Sequence, residues 1–383
     1  MIEFDHVSKT YSGSSEPAVR DLSLFVEEGE ICILVGPSGC GKTTSLKMTN
    51  RVIEPSSGTI SVAGQSVLDQ NPVQLRRNIG YVIQQIGLFP HQTIGDNIAT
   101  VPKLLGWDRG RIHDRVDELL HLVGLESEEF RDRYPRELSG GQRQRIGVAR
   151  ALAADPPVML MDEPFGAVDP ITRDRLQNEF LRLQEELGKT IMFVTHDIDE
   201  AIKMGDRIAI LNVGGVLEQY DKPETLLDEP HNDFVSDFVG ADRAMKRLSL
   251  FKMRDLDLIE VQRFEVPGPG INMKAVLLRP STTGRDALAL IEASRLDSAV
   301  VVDDDGRPTG WVTLRAARSR PDAPVSEFAN SVDVMVEEQS TIKDVLSEML
   351  AADSAAIVLD RHDAVAGVVT MDQIQASIAG LGG

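Results

Sequence analysis

Cysteine is scarce in this chain of 383 residues, which contains only Cys32 and Cys40. Two cysteines are too few for a disulfide framework, and this composition fits a reducing cytosol. Long apolar runs are also absent, because no stretch approaches the roughly 18 residues that a helix needs to cross a bilayer. Residues 1–5 (MIEFD) lack the basic start and the apolar region of a signal peptide. These absences predict a protein of the cytoplasm.

Basic residues are outnumbered by acidic residues in the sequence. Lys and Arg total 40, Asp and Glu total 60, and the formal net charge is −20. Nonspecific binding to nucleic acid and adhesion to anionic lipid both depend on a basic surface. The charge therefore argues against nucleic acid as a partner. Any membrane association is expected to be peripheral and to depend on a protein partner.

A glycine-rich segment, residues 36–43 (GPSGCGKT), is the most informative feature that the chain does contain. It follows an apolar run that predicts a strand (Ile31–Val35) and precedes a predicted helix start (Thr44–Thr49). In that setting, backbone N–H groups of the loop and the helix N-terminus point at one anion. Lys42 can reach the β- and γ-phosphates, and the Thr43 hydroxyl can bind Mg²⁺. The residues expected to bind the nucleotide here are Gly36, Ser38, Gly39, Cys40, Gly41, Lys42, Thr43 and Thr44.

Residues 1–240 follow an α/β pattern. Residues 1–30 are typical of short antiparallel strands with a turn at 12–14. Further on, apolar runs alternate with helical patterns, which predicts a largely parallel sheet covered by helices. The runs are Ile31–Val35, Tyr81–Ile83, Val158–Met161, Ile191–Val194 and Ile208–Leu211. A helix is predicted from the spacing of Leu176, Phe180, Leu183 and Leu187, with Gly188 as its stop.

The remaining chain is predicted to form a connector and a repeated module. Residues 241–271 are interpreted as a basic connector and linker that includes Pro267–Gly270, and residues 272–383 as a tandem module (about 272–320 and 330–380). Each repeat is expected to run helix, strand, polar turn, strand, helix. The two repeats are expected to share one core, because neither buries its apolar face alone. The paired blocks are 286–288 with 344–346, 297–301 with 353–357, and 310–313 with 367–370.

Two carboxylates follow the predicted strand Val158–Met161. Asp162 is placed to hold Mg²⁺, and Glu163 to orient and polarise an attacking water. Two further residues follow other strands of the same sheet, at the edge where ligands gather. His196 could hydrogen-bond a γ-phosphate. Gln84 could contact Mg²⁺ or the lytic water.

A second glycine pair lies in residues 138–142 (LSGGQ). Ser139 and Gln142 have the spacing of a capping box, which predicts a well-formed helix start. The same helix N-terminus could bind a second anion, because Gly140 and Gly141 allow close approach of a phosphate. The two interpretations are compatible.

In this order, the motifs resemble the ATPase subunit of an ATP-binding-cassette (ABC) transporter. The resemblance covers about residues 1–240 and implies a P-loop NTPase cassette with a RecA-like core, an antiparallel β subdomain and a helical subdomain. It implies that two subunits pack head to tail around ATP. Tyr11 would then stack on adenine, Glu163 would be the general base, and His196 would hold the γ-phosphate. In this family the LSGGQ segment (138–142) is called the signature, and residues 166–169 form the D-loop. The residues expected to approach the partner's ATP are Ser139, Gly140, Gly141 and Gln142 of the signature and Asp169 of the D-loop.

Residues 81–91 and 240–248 are similar to the corresponding segments of the ATPases of quaternary-amine osmoprotectant importers. The solutes of these importers are glycine betaine, choline, carnitine and proline betaine. The alternative is an importer of another small solute, of the amino acid or sulfonate type. In this family, membrane permease subunits contact the ATPase near its Q-loop, the loop that contains Gln84 in this chain. The expected contact surface is therefore Gln84 to Thr100. An extracytoplasmic solute-binding protein delivers the solute, and the ATPase lies at the cytoplasmic face of the membrane. An ABC ATPase acting on DNA or ribosomes, or a sensor without turnover, fits the single cassette and its intact motifs less well.

The C-terminal repeats resemble a pair of cystathionine-β-synthase-type (CBS) modules. The resemblance leaves three roles open: binding of an adenine-containing messenger such as cyclic di-AMP, sensing of ionic strength, or dimerisation without a nucleotide. Nucleotide-binding modules of this type commonly carry Thr-x-x-Asp, in which the Asp binds ribose. After Thr313 and Thr370 that position holds Ala316 and Gln373, which puts ribose binding of the ordinary kind in question.

Overall fold

Two structural units make up the chain in a computed structural model, Met1–Arg243 and Ala244–Gly383. The structure describes residues 1–83, 87–166, 168–256, 258–263, 275–294, 296–352 and 354–380. Within these ranges, no helix has both the length and the apolar character needed to span a bilayer.

The first unit combines two sheets with a set of helices. Its strands are β1 (Ile2–Lys9), β2 (Val19–Val26), β3 (Ile31–Val35), β4 (Ser57–Val62), β5 (Gln65–Ser66), β6 (Ile79–Val82), β7 (Val158–Asp162), β8 (Thr190–Val194), β9 (Arg207–Asn212) and β10 (Val216–Asp221). Its helices are α1 (Lys42–Thr49), α2 (Pro72–Arg77), α3 (Ile94–Ile98), α4 (Thr100–Leu104), α5 (Arg109–Leu122), α6 (Ser127–Phe130), α7 (Gly140–Leu152), α8 (Pro170–Leu187), α9 (Ile198–Met204), α10 (Pro223–Asp228) and α11 (Asp233–Val239).

The N-terminal strands form an antiparallel sheet in the order β2-β1-β4-β5. Buried and exposed side chains alternate along β2 from Leu22 onward and at the start of β1, where Ile2 and Phe4 are buried. Such alternation is expected for a sheet with one face on a core. The antiparallel strands predicted in residues 1–30 are confirmed.

The central sheet has the order β10-β9-β3-β8-β7-β6. All its pairs are parallel except β9 with β10. Every residue of β3, β7 and β8 is buried, as expected for parallel strands covered on both faces. The carboxyl ends of β3, β8, β7 and β6 therefore meet at one edge of the sheet. In the sequence, the phosphate loop follows β3, Glu163 follows β7, His196 follows β8, and Gln84 comes shortly after β6.

One apolar core joins the two sheets of the first unit. It contains side chains of the antiparallel sheet, such as Phe4 and Ile60, and of the parallel sheet, such as Leu34, Leu160 and Val194. Helices α3 and α5 pack against α7, which begins at the glycine pair of the LSGGQ segment. The α/β fold class predicted for this region is confirmed.

The second unit is built around a sheet with the order β14-β13-β12-β11-β17-β16-β15 in the described residues. Its strands are β11 (Ile259–Arg263), β12 (Ala275–Leu278), β13 (Ser298–Val302), β14 (Pro308–Thr313), β15 (Met335–Glu337), β16 (Ala356–Leu359) and β17 (Val365–Val369). Its helices are α12 (Arg243–Arg247), which begins one residue before the unit, α13 (Gly284–Ser294), α14 (Leu314–Ser319), α15 (Ile342–Ala352) and α16 (Met371–Gly380).

The two repeats have the element order that the sequence predicts. In each, a helix precedes an antiparallel strand pair, β13 with β14 and β16 with β17, and a second helix follows. Each repeat has an apolar cluster of its own. A further cluster unites Val300 and Val302 of the first repeat with Ile357 and Val368 of the second, so the repeats share a core as expected.

Much of the segment 241–271 belongs to the folded part of the second unit. Leu248 and Met253 lie in the cluster of the second repeat, and β11 pairs with both β12 and β17. The sequence interpretation as connector and linker did not anticipate this strand, because its partners lie elsewhere in the chain. Pro267–Gly270, the predicted linker core, lies outside the described residues.

Candidate functional site

The phosphate loop between β3 and α1 has a backbone that requires glycine. Gly41 has φ 93°, and a Cβ there would lie 2.4 Å from the Ala18 carbonyl oxygen. At Gly36 a Cβ would lie 2.1 Å from the carbonyl oxygen of Leu211. Both distances are far below van der Waals contact, so the path of the loop depends on these residues. The Cys40 side chain is fully buried, which leaves only its backbone to face a phosphate.

The start of α1 presents free backbone donors and a lysine. Gly41, at the N-cap, has no side chain with which to cap the first turn, so N–H groups of that turn are available to an anion. Lys42 is 7% exposed, and its Nζ donates to the carbonyl oxygens of Gly36 at 2.7 Å and Pro37 at 3.0 Å. The ammonium group therefore lies within the curve of the loop.

Thr43 and Asp162 meet across the edge of the sheet. The Thr43 hydroxyl donates to Asp162 Oδ1 at 2.9 Å, although 119 residues separate them in the sequence. Burial raises the pKa of the Asp162 carboxyl above its usual value, and the hydrogen bond from Thr43 opposes that shift. A hydroxyl and a buried carboxylate are hard oxygen ligands, which Mg²⁺ prefers. The two residues predicted to bind Mg²⁺ at this position thus lie together and fit such an ion.

Glu163 and His196 form a second pair at the same edge. His196 Nδ1 lies 3.2 Å from Glu163 Oε1, and the Glu163 side chain is 21% exposed. Glu163 has φ 45°, an uncommon backbone conformation for a residue with a side chain. Its N–H donates to the Val194 carbonyl oxygen at 2.9 Å, which ties β7 to the end of β8. The carboxylate is thus held at the edge of the sheet beside the imidazole.

The LSGGQ segment forms the capping box that its spacing predicts. Gln142 N–H donates to Ser139 Oγ at 3.2 Å, and Ser139 N–H donates to Gln142 Oε1 at 2.9 Å. The Ser139 hydroxyl accepts in this bond and keeps its own proton for another acceptor. A Cβ on Gly140 would have no atom within 4 Å, so the protein itself does not require glycine at this position.

The remaining predicted residues are distributed as follows. Tyr11 is 44% exposed, and its hydroxyl lies 3.3 Å from Thr44 Oγ1 at the phosphate loop. Asp169 caps α8 by accepting from the Thr172 N–H at 3.1 Å. Gln84 lies outside the described residues. Within those residues, no hydrogen bond joins the LSGGQ segment to the phosphate loop of the same chain.

Sequence reasoning missed the residues that hold the segment after Gln84. The fully buried Asn97 accepts from the Phe89 N–H at 2.7 Å, and its amide donates to the carbonyl oxygens of Phe89, Gln92 and Thr93. Arg150 Nη1 donates to the Gly87 carbonyl oxygen at 2.7 Å, and burial lowers the pKa of its guanidinium. An isolated Asn and Arg carry no sequence signal for these roles, because their partners are backbone carbonyls.

A buried carboxyl near His196 was also missed. Gln177 Nε2 on α8 donates to Glu200 Oε1 on α9 at 2.9 Å, and both side chains are buried. Burial raises the pKa of Glu200 above its usual value. This bond joins the helix that Asp169 caps to the helix that follows His196, so it fixes both segments beside the site.

Comparison with known proteins agrees with this geometry. The profile of the family described as "ABC transporter" matches residues 19–166, and that of the "CBS domain" matches residues 271–320. The chain therefore belongs to the family of ATP-binding subunits of ABC transporters, which are ATPases. The predicted fold class, a P-loop cassette followed by a CBS module, is confirmed.

Individual relatives match over almost the whole chain. The osmoprotectant import ATP-binding protein OsmV of Salmonella typhimurium is 44% identical over 98% of this chain and 95% of its own length. The glycine betaine/carnitine/choline transport ATP-binding protein OpuCA of Bacillus subtilis is 45% identical over 97% of this chain and 94% of its own. Among solved structures, the dimeric ATP-binding cassette MJ0796 bound to ADP and Pi has 35% identity and a TM-score of 0.52. It covers 58% of this chain and 99% of its own length.

Proposed function

We propose that this chain hydrolyses ATP to drive import of a quaternary-amine osmoprotectant, such as glycine betaine, choline, carnitine or proline betaine, through a membrane-bound ABC importer. The observation that carries the proposal is identity of 44% over 98% of the chain with an osmoprotectant import subunit. The similarity includes the second unit, so the proposal rests on more than the cassette. The alternative is an importer of another small solute of the amino acid or sulfonate type.

The functional form is proposed to be a homodimer with ATP between the subunits. In this arrangement ATP lies between the phosphate loop of one subunit and the LSGGQ segment of the other, whose Ser139 and Gly141 contact the γ-phosphate. The exposed position of Ser139 and of the adjoining Gly140, and the open space at Gly140, support this proposal. The dimeric state of the MJ0796 cassette supports it as well. Tyr11 is proposed to stack on adenine, and Gly141, Gln142 and Asp169 to lie close to the partner's nucleotide.

The proposed reaction is attack of water on the γ-phosphate. Glu163 orients the water and accepts its proton, and His196, 3.2 Å from the Glu163 carboxylate, holds both that carboxylate and the γ-phosphate. Lys42 and the N–H groups at the start of α1 bind the phosphate oxygens. Thr43 and Asp162, with Gln84, would hold Mg²⁺, which neutralises charge on the β- and γ-phosphates when bound. Loss of the γ-phosphate then removes the group that joins the two subunits.

The subunit is proposed to lie at the cytoplasmic face of the membrane and to contact permease subunits through residues 84–100. The hydrogen bonds of Asn97 to the backbone at Phe89, Gln92 and Thr93 support this, because they fix the shape of residues 89–93, which are exposed or half-buried. An extracytoplasmic solute-binding protein is proposed to bring the solute to the permease. The ATPase itself would not contact it.

Glycine betaine is expected to compete for uptake. In vesicles that contain the ATPase, its permease and its solute-binding protein, unlabelled glycine betaine in excess should abolish ATP-dependent uptake of labelled choline or carnitine. Excess taurine or glutamine serves as the control and should leave uptake unchanged. Competition by taurine or glutamine, with no effect of glycine betaine, would contradict the substrate assignment and favour the alternative.

The second unit is proposed to be a regulatory tandem CBS module (about 272–320 and 330–380) that follows the cassette (1–240), and to bind an adenine-containing messenger. A cleft of about 220 Å³ lies between the two repeats and supports this. Ser298, Trp311 and Thr370 line it, and among the described residues that line it only Asp297 carries a carboxylate. Gln373, at the position of the ribose-binding Asp, instead accepts from the Thr370 N–H at 3.0 Å. Asp297 is therefore the candidate partner of a ribose hydroxyl.

Replacing Asp297 by Ala is expected to weaken binding of cyclic di-AMP about tenfold, because a hydrogen bond to a charged group is lost. Calorimetric titration of the full chain with cyclic di-AMP measures this. Asp305→Ala, an exposed residue in the polar turn of the same repeat, is the control. Absence of binding to the unaltered protein would instead favour ionic-strength sensing or dimerisation.

A further inference from the structure

The position of His196 depends on the backbone that carries it. Its side chain is 62% exposed, and its Nδ1 lies 3.2 Å from Glu163 Oε1. A side chain that faces solvent is surrounded by few protein atoms, so the main chain must hold it in place. The proposed reaction requires the imidazole to contact both the Glu163 carboxylate and the γ-phosphate. The groups that fix residues 195–197 therefore bear on the rate of that reaction.

The peptide groups on both sides of His196 are hydrogen-bonded. Thr195 N–H donates to the Leu34 carbonyl oxygen of β3 at 3.1 Å. Asp197 N–H donates to Thr195 Oγ1 at 3.0 Å. The Asp197 carboxylate caps α9, where it accepts from the Glu200 N–H at 3.2 Å. His196 thus lies on a short turn that is fixed to β3 before it and to α9 after it.

The Glu200 side chain, in the first turn of α9, joins this turn to α8. It is 7% exposed, and its Oε1 accepts from Gln177 Nε2 at 2.9 Å. Burial raises the pKa of the Glu200 carboxyl, and hydrogen bonds from the Thr195 hydroxyl and the Gln177 amide oppose that shift. One buried carboxylate therefore binds a donor from the residue before His196 and a donor from α8.

Helix α8 contacts the same turn at a second point. Arg173 precedes Gln177 by four residues, so the two side chains lie on one face of the helix. Arg173 Nη1 lies 3.8 Å from Asp197 Oδ2, and its Nη2 donates to the Val168 carbonyl oxygen at 3.0 Å. The helix thus supports the residues on both sides of His196, through Asp197 and through the Glu200 carboxylate.

We propose that Glu200 is a positioning residue for ATP hydrolysis. Its carboxylate fixes the turn that carries His196 and so keeps the imidazole beside Glu163. Glu200 is buried, so it would act through His196 rather than on the nucleotide. This inference rests on the proposed function, in which His196 holds the γ-phosphate. Supporting groups of this kind matter because catalysis tolerates little displacement of the reacting side chains.

Glu200→Leu is the first test, because it removes the acceptor and retains much of the volume. We expect kcat to fall about tenfold, since a displacement of about 1 Å can cost on the order of 100-fold in rate. The affinity for ATP, measured by equilibrium titration, should not change, because the phosphate loop is unaltered. Glu200→Gln keeps an oxygen that accepts a hydrogen bond and should restore most of the rate.

A double-variant cycle with His196→Ala separates positioning from general stability. His196→Ala should itself lower kcat. In that background Glu200→Leu should lower kcat by less than roughly twofold, because the imidazole that it positions is already gone and effects on one shared step do not add. A loss of stability alone would lower the rate by the same factor in both backgrounds.

Gln184→Leu is the matched control. Gln184 is a buried residue of α8 whose Nε2 donates to the Gly29 carbonyl oxygen at 3.0 Å. Gly29 precedes β3 in the sequence, so this bond lies at the edge of the sheet opposite to His196. The variant loses a buried hydrogen bond and should retain the full ATPase rate. Thermal unfolding of each variant verifies that it is folded.

Three results would overturn the inference: a full rate in folded Glu200→Leu, an undiminished effect of Glu200→Leu in the His196→Ala background, or an equal loss of rate in Gln184→Leu. A full rate in His196→Ala would contradict the proposed reaction itself, and this inference with it. Failure of the positioning role alone is therefore distinguishable, because His196→Ala would then still lose activity.

Discussion

Replacing Glu163 by Gln should lower the ATPase rate by a factor of at least about 100, because general base catalysis contributes on the order of 10²–10⁴ in rate. An amide has the size of the carboxylate and still accepts a hydrogen bond, but it does not take up a proton from water. The phosphate loop and the Thr43–Asp162 pair are unaltered, so ATP should still bind. ATP-bound dimers should therefore accumulate, and size-exclusion chromatography with saturating Mg-ATP measures them.

The matched control for this substitution is Glu128→Gln. Glu128 is an exposed residue on α6, which contributes none of the residues predicted to bind ATP or to catalyse its hydrolysis. Glu128→Gln makes the same exchange of a carboxylate for an amide, and the variant should retain the full ATPase rate. If Glu163→Gln hydrolyses ATP at the unaltered rate, or remains monomeric in saturating Mg-ATP with and without the permease, the proposed mechanism is wrong.

Replacing Gly140 by Asp should lower the ATPase rate about a hundredfold, an effect of the size seen when a group that stabilises the transition state is lost. A Cβ at Gly140 has no atom within 4 Å in its own chain, so the fold should tolerate the substitution. In the proposed dimer, however, the new carboxylate would face the partner's triphosphate, and like charges repel. Dimers should fail to form in Mg-ATP, while each monomer should still bind ATP through its own phosphate loop.

Gly140→Ala separates the effect of charge from that of bulk at the same position. It adds a Cβ without a charge and should keep more of the rate than Gly140→Asp does. ATP binding, measured by equilibrium titration of the monomer, should be the same for both variants. A Gly140→Asp protein that forms ATP-dependent dimers and turns over normally would contradict the proposed position of the partner's nucleotide.

Most of the elements around the site could be predicted from local sequence. The apolar runs at Ile31–Val35 and Ile208–Leu211 lie in strands β3 and β9. Helix α8 ends at Leu187, as predicted, and Gly188 follows it in the left-handed conformation. The run Tyr81–Ile83 corresponds to β6, which begins two residues earlier, at Ile79. These predictions succeed because strand burial, helical spacing and glycine stops are properties of neighbouring residues.

The long-range hydrogen bonds that hold the site in place could not be predicted from local sequence. The hydrogen bond of Arg150 to Gly87 spans 63 residues, and that of Gln177 to Glu200 spans 23. None of these residues belongs to a motif, and each type is common on protein surfaces. The strand β11 escaped prediction for the same reason, because the strands that pair with it, β12 and β17, are separate segments of the chain, and β17 lies in the second repeat.

The sequence by itself determined the chemistry of this protein: which residues carry a hydroxyl, an ammonium or a carboxylate after each strand, and in what order. Those facts depend on residue type and local spacing, which one linear sequence contains. Only the tertiary structure decided which of these groups meet. Parallel pairing of β3, β8 and β7 brings Thr43 to Asp162 and Glu163 to His196. It also decided that Gly140 remains open, because contacts between distant segments depend on the packing of the whole chain.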